Sequence, residues 1–344
     1  MVSHTFNATY TFTPLSMGQL LDRAFRLYRR NFLTFVAIIA IVQLVPTLFN
    51  LLAALGPEFA LAPSLGAIAG SVIGLFGSAA ITIATTQSCF GQTPTISGAY
   101  GAIKTQLGLL IGLAFLLIVI VLVLVFWTLV PLVGWFTGPG IIFFVSAGVS
   151  PLLVPIIILE NISIEAGLRR SWDLSRERFW WIMGLTLIVS LLSQVIVTGP
   201  VLVTLGLGQF WFGGDSVWPI ILQSFVTLVI GSLYTPFTLT LYTLVYFDLR
   251  IRAEGLDLSI AAAPRPKVAE IGEIAEIDEQ EVETTAVPLL LQNAPPPEKG
   301  NRITRREVGY FVGLSLIIYA ILTVYIGATV GLAVGLVNSG VLFP

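Results

Sequence analysis

The stretch LLDRAFRLYRRNFLTF, Leu20 to Phe35, sets five charged residues within nine positions and then runs into hydrocarbon. Its apolar residues Met17, Leu20, Leu21, Ala24, Phe25 and Tyr28 recur at helical spacing. Asp22, Arg23, Arg26, Arg29 and Arg30 occupy the remaining faces. A basic amphipathic helix that leads straight into an apolar run reads as an in-plane helix at the foot of a membrane span. The rest of the chain agrees. It is 344 residues long, 56% hydrophobic and only 10% charged, whereas soluble domains carry roughly 25% charge.

Seven stretches reach the length of about 20 apolar residues that a bilayer requires. They are Phe32–Leu55, Ser64–Ala84, Leu107–Val130, Ile141–Leu159, Trp180–Leu205, Trp218–Tyr246 and Gly309–Val337. Their interiors carry no Asp, Glu, Lys, Arg or His, which excludes an intramembrane proton relay of the usual kind. Residues 259–307 are rich in Pro, Glu and Ala and nearly free of aromatics, the composition of a flexible acidic linker. The expected division is a polar tail over 1–14, a six-span domain over 15–258, that linker, and a seventh span within 308–344. The fold class is all-α, integral to the membrane.

Loop charge orients the spans. The hairpin loops GPEFALAP, PLVGWFTGPG and GLGQFWFGGDSV contain Glu58 and Asp215 but no Lys or Arg. All seventeen basic residues lie in the other junctions, the linker and the start of the chain. The positive-inside rule therefore predicts the cell membrane with a cytoplasmic N-terminus and linker, and an outer C-terminus. The polar start MVSHTFNATYTFTP lacks the short apolar run and cleavage site of a signal peptide.

The opening helix recurs. Ser16 in LSMGQLLDRAFRLYRRNF aligns with Ser163 in ISIEAGLRRSWDLSRERF, and Arg23, Phe25, Leu27 and Phe32 then align with Arg170, Trp172, Leu174 and Phe179. A weaker copy starts at Ser97, with Lys104 at the arginine position. The predicted core is thus three units, each an in-plane helix followed by a two-span hairpin, all in one orientation. In the last strong copy Ile164, Leu168, Trp172 and Phe179 form the apolar stripe, and Glu165 supports Arg169 one turn on.

These helices offer Arg23, Arg26, Arg29, Arg30, Arg169, Arg170, Arg176 and Arg178 to anionic lipid headgroups or an acidic partner. The same arginines also serve a simpler purpose, anchoring topology by snorkelling to water. A second polar cluster comprises Glu160, Asn161, Asp248, Arg250 and Arg252, with Asp248 expected to pair with an arginine of a repeat helix. Gly66, Gly70 and Gly74, and Gly327, Gly331 and Gly335, form small-residue faces for helix packing. The first face suits packing within the bundle. The second suits either its own bundle or a membrane protein partner. Pro46, Pro151, Pro155, Pro200 and Pro236 fall inside or near the ends of spans and either kink helices around a cavity or are simply tolerated.

Catalytic chemistry has no evident carrier. The single histidine, His4, lies in the polar tail, and Cys89 is the single cysteine. There is no nucleotide fingerprint. No catalytic residue, metal, cofactor or nucleic acid is expected.

Three stretches together carry a family resemblance: LSMGQLLDRAFRLYRRNF, PIIILENISIEAGLRRSWDLSRERFWWIMGL and YTLVYFDLRIRAEGLDL. Over about residues 14–258 the chain resembles the membrane domain fused to some bacterial glycerophosphoryl diester phosphodiesterases, which also stands alone in bacterial and archaeal proteins. The resemblance implies a six-span membrane domain. In the fused members a separate barrel hydrolyses substrate with two histidines and metal-binding acids. One histidine cannot supply that pair. The linker and seventh span depart from the six-span pattern. The expected function is a non-catalytic membrane module, either scaffold, assembly or lipid-associated subunit; the alternative is a transporter or channel for a lipid or other amphiphile.

Overall fold

A computed structural model of the protein describes residues 13–212, 216–262, 291 and 304–338. These residues are helical nearly throughout, with no strand among them. Among the described residues seven helical segments are long and apolar enough to cross a membrane: Phe32–Leu55, Pro57–Cys89, Ile96–Thr128, Val133–Glu160, Phe179–Gly208, Trp218–Glu254 and Arg305–Val324. The protein is a helical membrane protein.

Contacts gather the chain into two units, one of residues 1–115 and 149–297, the other of 116–148 and 298–344. Helix α1 spans Met17–Arg30, α2 Phe32–Leu52, α3 Ala62–Cys89, α4 Ile96–Ala102 and α5 Leu107–Thr128. Then come α6 Val133–Phe144, α7 Ser150–Glu160, α8 Ile164–Glu177, α9 Phe179–Ser193 and α10 Gly199–Phe212. The last are α11 Trp218–Glu254, α12 Leu256–Ala262 and α13 Arg305–Asn338.

The first unit is organised by α11, which packs on α1, α2, α3, α7, α8 and α10. Its 37 residues begin with Pro219 in the first turn and stop at Gly255, whose φ of +64° is the left-handed cap that glycine adopts without strain. Hydroxyls bond the seams between the helices of this unit. Thr85 donates to Thr240, and Thr243 lies 3.5 Å from Thr82, across the α3–α11 seam. The Tyr28, Tyr100 and Tyr234 hydroxyls donate to the carbonyls of Leu233, Ile38 and Val189 at 2.7–2.9 Å. In hydrocarbon such groups need internal partners, and one hydroxyl can satisfy a neighbouring helix.

Helices stand at the three chain positions where in-plane helices are predicted, with differences. Ser16 caps α1, forming a reciprocal capping box with Gln19, and Ser163 caps α8. In the middle copy the cap is Thr95, two residues before Ser97, and α4 ends after seven residues. Gly98 and Gly101 make it a weak helix former.

The two faces of α8 also depart from expectation. Ile164, Leu168 and Trp172 stay half-buried, while Gly167, Arg170, Ser171, Leu174 and Ser175 are turned inward. Lipid can satisfy an apolar stripe, but a buried cation requires counter-ions, and those lie on α7 and α11. Gly167 permits this approach: a Cβ there would sit 2.6 Å from the Ile157 side chain.

Pro151 and Pro200 act on their helices locally. Each follows a wide π-helical turn, Val145–Val149 before α7 and Gln194–Thr198 before α10. A proline lacks the N–H for the carbonyl four residues back and clashes with it. Widening the turn by one residue removes that conflict. At the second site the Gly199 N–H accordingly reaches the Gln194 carbonyl, five residues back. Pro155 and Pro236 are buried inside their helices.

In the second unit α13 lies along α6. The Gly140 N–H donates to the Ser315 hydroxyl at 2.8 Å, Phe144 stacks on Phe311, and the Tyr319 hydroxyl donates to the Trp135 carbonyl at 2.8 Å. A Cβ on Gly140 would meet the Phe311 carbonyl oxygen at 2.0 Å, so only glycine fits. The seventh span therefore packs on its own chain, through Gly140 and Ser315.

Candidate functional site

Polar side chains converge where α1, α8 and α11 meet their junctions. Asn161 makes the first of these corners. It ends α7 in the left-handed conformation, φ 51°, which asparagine tolerates. Its side chain accepts from Gln106 at 3.3 Å. The chain then turns into α8, which sets Arg170 against Glu160.

Five groups next to this corner close a ring. Glu160 Oε2 is ion-paired with Arg170 Nε. Arg170 Nη2 pairs with Glu254 Oε1 at 2.6 Å, and Glu254 Oε2 pairs with Arg250 Nε at 2.9 Å. Arg250 Nη1 donates to the Tyr246 hydroxyl, which donates to Glu160 Oε1, each at 2.9 Å. Arg250 also donates to the Leu291 carbonyl at 3.0 Å. Glu160, Arg170 and Arg250 are all nearly inaccessible to solvent. Two cations and two carboxylates cancel, so the ring is a net-neutral staple between α7, α8 and α11.

Asp248 organises the second cluster. Its Oδ1 accepts the Leu15 N–H at 2.7 Å, and its Oδ2 accepts Arg252 Nε at 2.9 Å and Arg178 Nη1 at 3.4 Å. Arg252 returns to the Leu15 carbonyl at 2.8 Å. The Arg178 guanidinium lies 4.7 Å from the Trp181 ring centre, within cation–π range. Partial burial pulls Arg178 below the ordinary guanidinium range; the neighbouring Arg252 cation acts the same way, and Asp248 opposes both. The expected pairing of Asp248 with a repeat-helix arginine is thus present.

The remaining predicted residues scatter. Arg26 pairs with Asp22 at 2.9 Å, Arg169 with Glu165 at 2.6 Å, and Arg176 with Asp173 at 3.6 Å, all along one helix. Arg29 and Arg30 are exposed in the last turn of α1, and Arg23 is half-buried. Arg170, grouped in the sequence with the headgroup arginines, is only 5% exposed and faces Glu160 instead. Gly66 and Gly70 lie against Phe49 and Pro46, but Gly74 touches no side chain. Gly327 likewise faces open space. The surroundings of Gly331 and Gly335 lie outside the described residues.

Two pockets open on the first unit. One, of about 560 Å³, is lined by Pro14, Leu174, Glu177, Arg178, Leu249, Ile251 and Arg252. The other, of about 320 Å³, lies between α2, α3 and α11, beside Pro46, Gly70, Gly74, Gln43, Ser71 and Thr235. Neither is lined by Pro155 or Pro236. Among the described residues no group of three or more His, Cys, Asp or Glu is arranged to hold a metal ion.

Tyr246 and Leu15 are the members of the two polar clusters that residue-type reasoning passes over. One is a hydroxyl within an apolar run, the other a backbone amide. The i,i+4 spacing of Asp248 to Arg252 and of Arg250 to Glu254 is the signal that α11 carries two adjacent polar faces. No protein-family model, curated protein or solved structure matches the chain.

Proposed function

We propose that the chain is a non-catalytic, multi-pass membrane module that organises lipid or a membrane partner as a scaffold or assembly subunit. The observation that carries this reading is that the carboxylates Glu160, Glu254 and Asp248 of the polar end are engaged by arginines of the same chain. The Glu160 and Glu254 carboxylates are held by arginines, and Asp248 has a donor on each oxygen. Acid–base chemistry needs a carboxylate with a free position toward substrate. Here the carboxylates act as internal counter-ions.

The finer architecture belongs to the same proposal: three related units, the basic junctions and the linker in the cytoplasm, the C-terminus outside, in a prokaryotic cell membrane. Matching serine caps on α1 and α8, each leading into a span, support the repeat. The resemblance to the phosphodiesterase-linked membrane domain is consistent with it. The lipid-facing sides of α13, including Leu316, Ile321 and Val324, are exposed and available to a membrane protein partner.

The pocket beside Pro46 favours a second reading, a transporter of a lipid or other amphiphile. Gln43, Ser71 and Thr235 would supply the polar contacts. Reconstitution into liposomes separates the two. The scaffold reading expects no acceleration of transbilayer movement of a labelled phospholipid, and recovery of a stable partner or lipid after in-membrane cross-linking. Accelerated movement that is lost on filling the groove with Gly74→Leu overturns it in favour of transport.

A further inference from the structure

We propose that the pocket between the N-terminal segment, the end of α8 and the end of α11 binds a zwitterionic headgroup, its phosphate on Arg178 and Arg252 and its ammonium on Glu177. The inference rests on the lipid-organising function proposed for the chain and names the site and the chemistry.

Charge comes first. Arg178 and Arg252 share the single buried carboxylate of Asp248, which leaves one positive charge in excess. A guanidinium has five N–H donors. Arg252 uses two of them, on Asp248 and Leu15, and Arg178 one, on Asp248. Donors therefore remain on both side chains where they line the pocket. An anion between the two guanidinium groups relieves their mutual repulsion. Phosphate suits paired guanidinium donors geometrically.

Glu177 decides the class of ligand. It is exposed, lines the same pocket and makes no ion pair among the described residues. With Asp248 it brings the pocket's net charge to zero. A purely anionic headgroup would meet this carboxylate as a repulsive wall. A phosphate bearing an adjacent ammonium meets a complementary charge at each end.

Position comes last. Arg178 directly precedes the span that begins at Phe179, so the pocket lies at headgroup depth. Leu174, Leu249 and Ile251 form an apolar wall beside the charges. That wall suits the glyceride portion of a phosphatidylethanolamine, while free phosphoethanolamine shares only the polar part.

The test is native mass spectrometry of the full chain titrated with dioleoyl phosphatidylethanolamine or dioleoyl phosphatidylglycerol. The expected result is ethanolamine lipid retained about threefold over glycerol lipid, the scale of an exposed ion pair. Glu177→Gln should erase that preference, and Arg252→Gln should lower retention of both lipids. Soluble phosphoethanolamine should displace the ethanolamine lipid at the same site. If it binds where the lipid does not, the same chemistry is met from the soluble pool. Because Glu177 is exposed, its substitution leaves the thermal midpoint unchanged, and that control is read alongside. Equal retention of the two lipids by the native chain, or an unaltered preference in Glu177→Gln, overturns the site. Cross-linked partner capture would be unaffected by such a failure, so the module reading stands or falls separately.

Discussion

The Leu15 N–H donates to Asp248 Oδ1 across 233 residues of sequence, fastening the entry to α1 onto the last turns of α11. The Arg252 side chain completes the clasp by returning to the Leu15 carbonyl. Asp248 is thereby the point at which the N-terminal segment, α11 and the α8–α9 corner meet.

Asp248→Asn should keep the Leu15 contact and lose the counter-charge for both arginines. Removing one partner of a buried pair costs roughly 3–5 kcal/mol. Arg178 and Arg252 are each about one-third exposed, so water compensates and about 2 kcal/mol is expected. A lowered thermal midpoint in mild detergent, with insertion into the membrane retained, is the measurement. An unchanged midpoint would remove Asp248 from its structural role.

Glu160→Gln should cost more. Arg170 and Arg250 have only 6% and 3% of their side chains exposed, so neither recovers hydration. A loss of roughly 3–5 kcal/mol is expected, read as early unfolding in a denaturant titration. Glu160→Gln combined with Arg170→Met should recover part of it, because the orphaned cation is removed with its partner.

Gly140→Ala should separate α13 from α6, since the new methyl would overlap the Phe311 carbonyl. Ser315→Ala should do less, leaving the Gly140 N–H without its side-chain acceptor at about 1 kcal/mol. The readout is a cysteine pair at Trp135 and Tyr319, bridged by a bifunctional thiol reagent long enough to replace the tyrosine ring that spans these positions in the native fold. Cross-linking should persist with Ser315→Ala and fall sharply with Gly140→Ala.

Alkaline pH should loosen α1. Burial raises the Tyr28 hydroxyl from its usual 10 to about 12. A raised folded value means that the stabilisation is complete below pH 10 and is lost as pH climbs through 12. The loss is at most about 3 kcal/mol for two units. Tyr28→Phe should flatten the stability profile in that window while costing the bond to the Leu233 carbonyl at neutral pH. Equal slopes for both proteins would contradict the burial of this hydroxyl.

Hydropathy alone locates all seven membrane segments, because a span's signal is local and about twenty residues long. Asp248 with Arg178 is also legible, since a buried carboxylate at the end of a span demands a cation and Arg178 directly precedes a span. The inward turn of Arg170 is not. Periodicity ranks faces by hydrophobicity, whereas α8 is oriented by the counter-ions Glu160 and Glu254 on other helices. Gly140 escapes sequence reasoning for a related cause. The spacing of Gly327, Gly331 and Gly335 is regular, but close approach requires one glycine opposite a particular carbonyl, which only the packed pair of helices defines.

The wide turn before Pro200 sets the phase of the helix beyond it. One surplus residue advances the helical wheel by about 100°. Residues before and after that turn that share a wheel position in a regular helix therefore point in different directions. A single deletion at 194–198 would rotate α10 as a whole against α11, on which it packs, so the surplus residue is as much a determinant of that seam as its side chains are.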